Sequence, residues 1–195
     1  MTVATPASPS PPPSPGGRWA WLSLPNLLSL SRLPLALVAG LAVLGGAVLP
    51  AMLAFWLAVA TDLADGRIAR ARGQVSALGG LFDHGSDALF VTVLLAAWSV
   101  QGEIPVCLPV LVPLAFIQYM LDSRALSGQR LRASRIGRWN GVAYFVLAGV
   151  PTVRDGLGLP WPDASLVRWL GWLLIATTLV SMVERAWVYL RLQRG

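Results

Sequence analysis

The sequence predicts an all-α integral membrane protein with six transmembrane helices and both termini in the cytoplasm. Three observations lead to this fold class. Of the 195 residues, 55% are apolar and 12% are charged, which is about half the charged fraction of soluble domains. Long apolar stretches recur along the chain, and the arginines are concentrated in alternate connecting segments. Nucleic-acid binding is excluded because basic nucleic-acid binders are not this apolar.

The first 17 residues differ in composition from the rest of the chain. They are rich in Pro, Ser, Gly and Ala and contain no charged side chain, so they cannot bury enough apolar surface to offset chain entropy. We predict a disordered tail over residues 1–17 and a membrane domain over residues 18–195. Trp19 and Trp21 are typical of membrane-interface anchors, so an interfacial helix can precede the first span.

Six apolar stretches follow the tail. Each approaches the length of about 20 residues that crosses about 30 Å of hydrocarbon, although the fifth is marginal. They cover roughly residues 30–50, 50–66, 83–101, 104–123, 139–154 and 165–188. Because the number of spans is even, both termini lie on the same side of the membrane.

The distribution of arginine supports this topology. All 15 basic residues are arginine. With a cytoplasmic N-terminus, only Arg154 and Arg168 fall on outer segments, and the other arginines fall on inner segments or at the inner ends of spans. This asymmetry follows the positive-inside rule.

Four aspartates are the only acidic side chains in the first 102 residues, and they are Asp62, Asp65, Asp83 and Asp87. Spacings of three and four residues place each pair on one helical face. The pairs lie at the cytoplasmic ends of the second and third stretches. A short loop that contains Arg67, Arg70 and Arg72 joins these stretches into an antiparallel hairpin, so the two pairs can converge.

Four converging carboxylates repel one another unless cations lie among them. Oxygen ligands favour Mg²⁺ or Mn²⁺, and two such ions about 3.5–4 Å apart support phosphoryl transfer. The arginines of the loop supply donors for a phosphate or pyrophosphate. The alternative is that Asp–Arg pairs merely cap two helices at the membrane interface, although capping does not require two aspartates on each helix.

Residues 62–87 read DLADGRIARARGQVSALGGLFDHGSD. This segment resembles the signature of the CDP-alcohol phosphotransferase family, D-x2-D-G-x2-A-R-x8-G-x3-D-x3-D. Every fixed position is present, at Asp62, Asp65, Gly66, Ala69, Arg70, Gly79, Asp83 and Asp87. The resemblance implies an enzyme of phospholipid synthesis that transfers a substituted phosphate from a CDP-linked donor to an alcohol and releases CMP. It also implies a bacterial inner membrane location, an active site at the cytoplasmic face, and a homodimer.

The resemblance also implies roles for individual residues. Asp62, Asp65, Asp83 and Asp87 would bind two Mg²⁺ or Mn²⁺ ions, and Asp87 would act as general base on the acceptor hydroxyl. The residues expected at the nucleotide and its diphosphate are Asn26, Ser29, Gly66, Ala69, Arg70, Ser76 and Gly79. Asn26 and Ser29 belong to Pro25–Arg32, which is similar to the family element P-N-x2-T-x2-R. The alternative for this element is an ordinary helix N-terminus after Pro25.

Two features of the resemblance point to different substrates. Chain length and the N-terminal element resemble enzymes that use CDP-diacylglycerol and a glycerol 3-phosphate-like acceptor, which we favour. The stretch Asp83-His84-Gly85 is similar to choline and ethanolamine phosphotransferases, which use a CDP-amino-alcohol and diacylglycerol. The candidate acceptor contacts are His84, Arg124, Arg132, Arg135 and Arg138.

Three alternatives remain open. In the first alternative, the arginines among these contacts only set the orientation of the chain in the membrane and bind lipid headgroups. In the second alternative, the protein is a divalent-cation transporter. A transporter is expected to place polar groups through the membrane, whereas the polar groups here cluster at one face. In the third alternative, the protein is an inactive assembly partner, although the complete set of aspartates argues against this.

Overall fold

The computed structural model describes residues 23–74, 76–122 and 135–193, without the side chains of residues 77, 78, 122, 135 and 189–193. Within these ranges the chain forms six α-helices and no strand, which confirms the all-α prediction. The helices are α1 (Leu24–Leu44), α2 (Val48–Ala71), α3 (Ala77–Val100), α4 (Cys107–Asp122), α5 (Arg135–Gly156) and α6 (Ala164–Gln193). The predicted tail, and any interfacial helix near Trp19 and Trp21, lie outside the described residues.

Among the described residues, four segments are long and apolar enough to cross a membrane: Leu24–Leu44, Val48–Ala71, Gly79–Val100 and Ala164–Val188. Cys107–Leu121 of α4 is a shorter apolar helix. The four long helices indicate a multi-pass membrane protein. The count of six spans and the orientation of the termini stay predictions.

The outer surface of the bundle is apolar on every helix. Large apolar side chains that are more than half exposed include Leu37, Leu53, Leu89, Val110, Val146 and Val183. A water-soluble protein does not expose apolar surface on this scale. Hydrocarbon chains solvate such side chains well, so this surface fits a lipid environment.

The second helix extends past its acidic pair. It continues to Ala71, so Arg67 and Arg70 lie on its last turns, and the prediction that they belong to the connecting loop is wrong. The sequence Ile68-Ala69-Arg70-Ala71 favours helix. Gly73 ends it with φ of 62°, where the Gln74 N–H reaches the Ala69 carbonyl at 2.9 Å. This is a Schellman motif, in which glycine tolerates the left-handed conformation.

Polar side chains inside the bundle bond across helices. The indole N–H of Trp98 donates to Thr152 Oγ1 at 2.9 Å, and the hydroxyls of Tyr144 and Thr178 lie 2.6 Å apart. Such pairs satisfy polar groups that water cannot reach. They join α3 to α5 and α5 to α6.

A second polar cluster lies at the far end of α3 from the aspartates. The buried Arg154 donates to Glu103 Oε1 at 2.5 Å and to Asp155 Oδ1 at 2.6 Å. Arg168 donates to the Gly102 carbonyl. The two arginines that the sequence assigns to outer segments therefore lie at one end of the bundle, and the acidic cluster lies at the other.

Candidate active site

The two acidic pairs converge beside α1, which packs closely against both α2 and α3, whereas α2 and α3 make few direct contacts within the described residues. The predicted α2–α3 hairpin therefore brings the pairs together only with α1 packed against both helices. One carboxylate oxygen from each of Asp62, Asp65 and Asp83 lies within 4.8 Å of the others, and the same holds for ligand atoms of Asp83, His84 and Asp87. The side chain of Asp65 is 4% exposed, whereas those of Asp62, Asp83 and Asp87 are 40%, 29% and 25% exposed. The helical spacing therefore produces one carboxylate cluster with an open side.

The guanidinium of Arg32, from α1, lies at the centre of this cluster. Its Nη1 donates to Asp62 Oδ1 at 2.9 Å and also to Asp87 Oδ1. Its Nη2 donates to Asp65 Oδ2 at 2.6 Å and to Asp83 Oδ1 at 2.5 Å. The side chain is completely buried. The cation that four carboxylates require is thus supplied in part by the chain itself.

Arg32 is not among the site residues that the sequence predicts. By sequence it belongs to the N-terminal element and to the inner positive charges. One signal was available, because Arg32 is an ionisable residue inside the first apolar stretch, and such residues usually face a functional partner.

Ser29 also contacts the cluster. Its hydroxyl donates to Asp65 Oδ2 at 2.8 Å and approaches the Pro25 carbonyl at 3.2 Å. The predicted N-terminal element is therefore both the start of α1 and a wall of the acidic cluster, so the two interpretations of this element are compatible.

The start of α3 packs tightly against α1. Ser76 caps α3 by accepting the Gly79 N–H at 2.9 Å. A Cβ on Gly79 would lie 3.0 Å from Ser76 Oγ and 3.2 Å from Asn26 Oδ1. A side chain at this position would therefore require Ser76 or Asn26 to shift by a few tenths of an ångström. Three of the predicted nucleotide contacts are thereby brought together.

The remaining predicted nucleotide contacts lie along α2. Gly66 and Arg70 follow Asp62 at intervals of four residues, which places them on the same helical face. A Cβ on Gly66 would lie 3.4 Å from Arg70 Nη1, so the exposed Arg70 guanidinium rests against this glycine. Ala69 follows Asp65 by one turn and is partly buried.

A cavity of about 670 Å³ adjoins the acidic cluster. Asp62, His84 and Asp87 line it beside the cluster. Much of the remaining wall is apolar, and its larger residues include Val59, Leu63, Val91, Val112, Phe116 and Phe145. The cavity therefore connects an acidic centre to an apolar interior.

Two amides in the cavity wall carry buried atoms with unused hydrogen-bonding capacity. Gln118 donates its Nε2 to the Met182 carbonyl at 2.9 Å, which orients the amide. Gln118 Oε1 and Asn140 Nδ2 are buried, and neither has a hydrogen-bond partner among the described residues. Buried polar atoms of this kind are rare and call for an explanation. Neither residue is among those that the sequence predicts for the site.

Arg185 of α6 also lines the cavity. Its Nη2 lies 3.4 Å from the Tyr119 carbonyl, and its guanidinium carbon is 4.7 Å from the centre of the Tyr119 ring. By sequence, Arg185 is only one of the inner positive charges that set the orientation of the chain in the membrane. As with Arg32, its position inside an apolar stretch was the available signal.

The structure describes the side chains of only some of the predicted acceptor contacts. The side chain of His84 is 50% exposed, and its Nδ1 lies 4.0 Å from Asp83 Oδ2. His84 and Arg138 both line the cavity. Arg124 and Arg132 lie outside the described residues. Arg135 begins α5, but its side chain lies outside the described part of the chain.

A profile of the CDP-alcohol phosphatidyltransferase family matches residues 22–183. The chain belongs to this family. The match covers the acidic cluster, Arg32 and most of the cavity wall, and it confirms the resemblance found in residues 62–87. No solved structure matches the chain significantly.

Two curated relatives have the same name, cardiolipin synthase (CMP-forming). The human protein is 34% identical over 110 residues, which cover 51% of this chain and 36% of the relative. The rat protein is 36% identical over 110 residues, with the same coverage of both chains. The match thus spans about a third of the length of these relatives.

The carboxylates of this CDP-alcohol phosphatidyltransferase fit divalent cations. Arg32 occupies one oxygen of each aspartate. The second oxygens of Asp62, Asp83 and Asp87 make no hydrogen bond within the described residues, and these side chains are partly exposed. Carboxylate oxygens grouped in this way are ligands that Mg²⁺ and Mn²⁺ prefer.

Proposed function

We propose that the protein transfers a phosphatidyl group from CDP-diacylglycerol to the hydroxyl of an alcohol that carries a glycerol phosphate unit, with release of CMP. The observation that carries this proposal is the acidic cluster at the edge of a largely apolar cavity. Family membership supports the reaction class, and the names of the curated relatives support a phospholipid product and CMP release. The acceptor is either free glycerol 3-phosphate or the same unit in a phospholipid headgroup.

The donor site is the outer side of the acidic cluster. Two Mg²⁺ or Mn²⁺ ions held by Asp62, Asp65, Asp83 and Asp87 would neutralise the diphosphate and the departing CMP. Arg70, on the same face of α2 as Asp62, supplies further donors to the diphosphate. Asn26, Ser76 and Gly79 lie together where α3 begins beside α1, and we assign them to the nucleotide. Ser29 supports the site from behind through its bond to Asp65, and the small residues Gly66 and Ala69 leave room for the nucleotide on α2.

The acceptor reacts at Asp87. This side chain lines the cavity and gives Oδ1 to Arg32, so Oδ2 is available to take the hydroxyl proton. The acceptor oxygen forms a bond to the phosphorus of the phosphatidyl group, and the bond from that phosphorus to the CMP oxygen breaks. The proton moves to Asp87, and CMP leaves with the electron pair of the broken bond.

The cavity binds the rest of the acceptor. Arg138 and Arg185 are the described basic residues in its wall, and they fit the acceptor phosphate. Asn140 Nδ2 can donate to an acceptor oxygen, and Gln118 Oε1 can accept from a second hydroxyl. The apolar residues of the wall suit lipid chains. Arg124, Arg132 and Arg135 stay candidates for the same phosphate.

The proposal includes the membrane topology. We place residues 18–195 in one membrane domain with six spans, both termini in the cytoplasm and the acidic cluster at the cytoplasmic face of a bacterial inner membrane. We also propose that the protein is a homodimer. The location of Arg154 and Arg168 at the end away from the aspartates supports this orientation.

His84 favours a second candidate function. It lies between two of the aspartates and is half exposed in the cavity, where an amino-alcohol or a diacylglycerol hydroxyl would also be bound. In this case the enzyme transfers phosphocholine or phosphoethanolamine from a CDP-amino-alcohol to diacylglycerol.

The deciding experiment measures CMP release by the detergent-purified protein with Mg²⁺. One set of reactions contains CDP-diacylglycerol with glycerol 3-phosphate or phosphatidylglycerol. A second set contains CDP-choline or CDP-ethanolamine with diacylglycerol. We expect release only in the first set, and the acceptor that drives it identifies the product. Release only in the second set establishes the second candidate, and silence in both sets from folded protein contradicts both.

A further inference from the structure

We propose that Arg32 is a positioning residue that holds the four aspartates in the arrangement that binds divalent cations. In this arrangement Arg32 binds one oxygen of each carboxylate from the buried side and leaves the open side to the metal ions. The inference rests on the metal binding that the proposed function requires, and it assigns the shape of that site to a side chain outside the acidic motif.

The hydrogen bonds of Arg32 are shared evenly between the two acidic helices. Nη1 bonds to Asp62 of α2 and Asp87 of α3, and Nη2 bonds to Asp65 of α2 and Asp83 of α3. Each terminal nitrogen therefore joins one carboxylate of α2 to one of α3. A single planar group sets the separation and the rotation of both pairs at once.

The exposure of the side chains places Arg32 behind the aspartates. Arg32 is completely buried, whereas the side chains of Asp62, Asp83 and Asp87 are 40%, 29% and 25% exposed. Ligands that arrive from the cavity or from the membrane surface thus meet carboxylate oxygens before the guanidinium. Asp65 is nearly buried, and its Oδ2 accepts from both Ser29 and Arg32, so it fixes the inner edge of the cluster.

The charge of the cluster also favours an arrangement with Arg32 on the buried side of the carboxylates and metal ions on the open side. Four ionised carboxylates packed together repel one another and spread apart. One guanidinium offsets only part of their charge, so the cluster retains net negative charge for two divalent ions. Lysine is a poor substitute, because one ammonium offers three donors from a single point, whereas Arg32 uses two separate nitrogens for four carboxylates.

The test is a titration of the full-length, detergent-purified protein with Mn²⁺ in the absence of any CDP donor. Electron paramagnetic resonance measures the free and bound Mn²⁺ at each step. We expect R32Q to weaken Mn²⁺ affinity about 10- to 100-fold, which is the usual effect of removing a group that orients metal ligands. R32K should show a smaller loss. The matched control is R154Q, which removes a second buried arginine of the described residues, one that bonds to two carboxylates at the opposite end of the bundle. It should lower thermal stability and leave Mn²⁺ affinity unchanged.

Several outcomes overturn the inference. Unchanged or tighter Mn²⁺ binding by folded R32Q shows that Arg32 only balances charge or competes with the metal. If R32Q does not fold, R32K decides in the same way, with weaker binding expected. An equal loss in R154Q shows a general structural effect. If the wild-type protein binds no Mn²⁺, both this inference and the metal requirement of the proposed function are wrong. Wild-type Mn²⁺ binding without CMP release on any substrate contradicts the proposed function alone.

Discussion

The Ser29 hydroxyl donates to Asp65 Oδ2 at 2.8 Å, the same oxygen that accepts from Arg32 Nη2 at 2.6 Å. Two side chains of α1, one turn apart, therefore hold the most buried aspartate of the site. The N-terminal element and the acidic motif are thus one structural unit, although more than 30 residues separate them along the chain.

The first prediction concerns Ser29. Replacement by alanine removes one of the two donors to a buried carboxylate, and hydrogen bonds to charged groups contribute about 1.5–3 kcal/mol. We expect S29A to lower the melting temperature in detergent and to reduce CMP release, whereas S29T, which keeps the hydroxyl, should retain both. S31A is the control, because the hydrogen bond of the Ser31 side chain within the described residues is to the Leu28 carbonyl of its own helix. Equal stability of S29A and S31A would contradict the role of this contact.

The second prediction concerns Asp87. D87N keeps the size of the side chain and removes its capacity to take a proton, so we expect CMP release to fall about 10²- to 10⁴-fold. Binding of CDP-diacylglycerol should change little. The measurement pairs CMP release with a donor-binding assay, and D163N, which changes an exposed aspartate before α6, should behave as wild type. Near-normal turnover in D87N would remove Asp87 as the base.

The third prediction concerns metal removal. EDTA should stop CMP release, and Mg²⁺ or Mn²⁺ should restore it, because the carboxylate cluster cannot neutralise the donor diphosphate without cations. The assay compares one preparation before chelation, after it and after metal is added back. Full activity in a rigorously metal-free sample would rule out the two-metal proposal.

The fourth prediction concerns Asn140. N140L removes a buried N–H group that has no partner in the described residues, so it should not lower stability. If Asn140 binds the acceptor, the KM for the acceptor should rise about tenfold, since one hydrogen bond is worth about 1 kcal/mol or more, while the KM for the donor stays the same. V146A, on the outer surface of α5, is the control. An unchanged acceptor KM in N140L would show that this amide does not contact the acceptor.

The spacing of residues along the sequence was sufficient to identify the four aspartates of the acidic motif. Asp62 and Asp65, and Asp83 and Asp87, share helical faces by spacing alone. The two faces meet, however, beside α1, which packs against both helices. The sequence pattern placed Arg67 and Arg70 wrongly, in the connecting loop instead of on α2. A polar residue after an apolar stretch marks the end of the apolar region, but α2 continues to Ala71 and is ended by the left-handed backbone of Gly73.

The sequence by itself determined the helical class, the membrane environment, the family and the residues of the acidic motif, because these depend on composition and on spacings within single helices. Only the tertiary structure decided the position of Arg32 among four carboxylates, the approach of Asn26 to Gly79, and the cavity wall that contains Gln118, Asn140 and Arg185. These contacts join helices that are distant in sequence. They depend on how helices rotate and interdigitate, and no periodicity within one helix encodes that rotation.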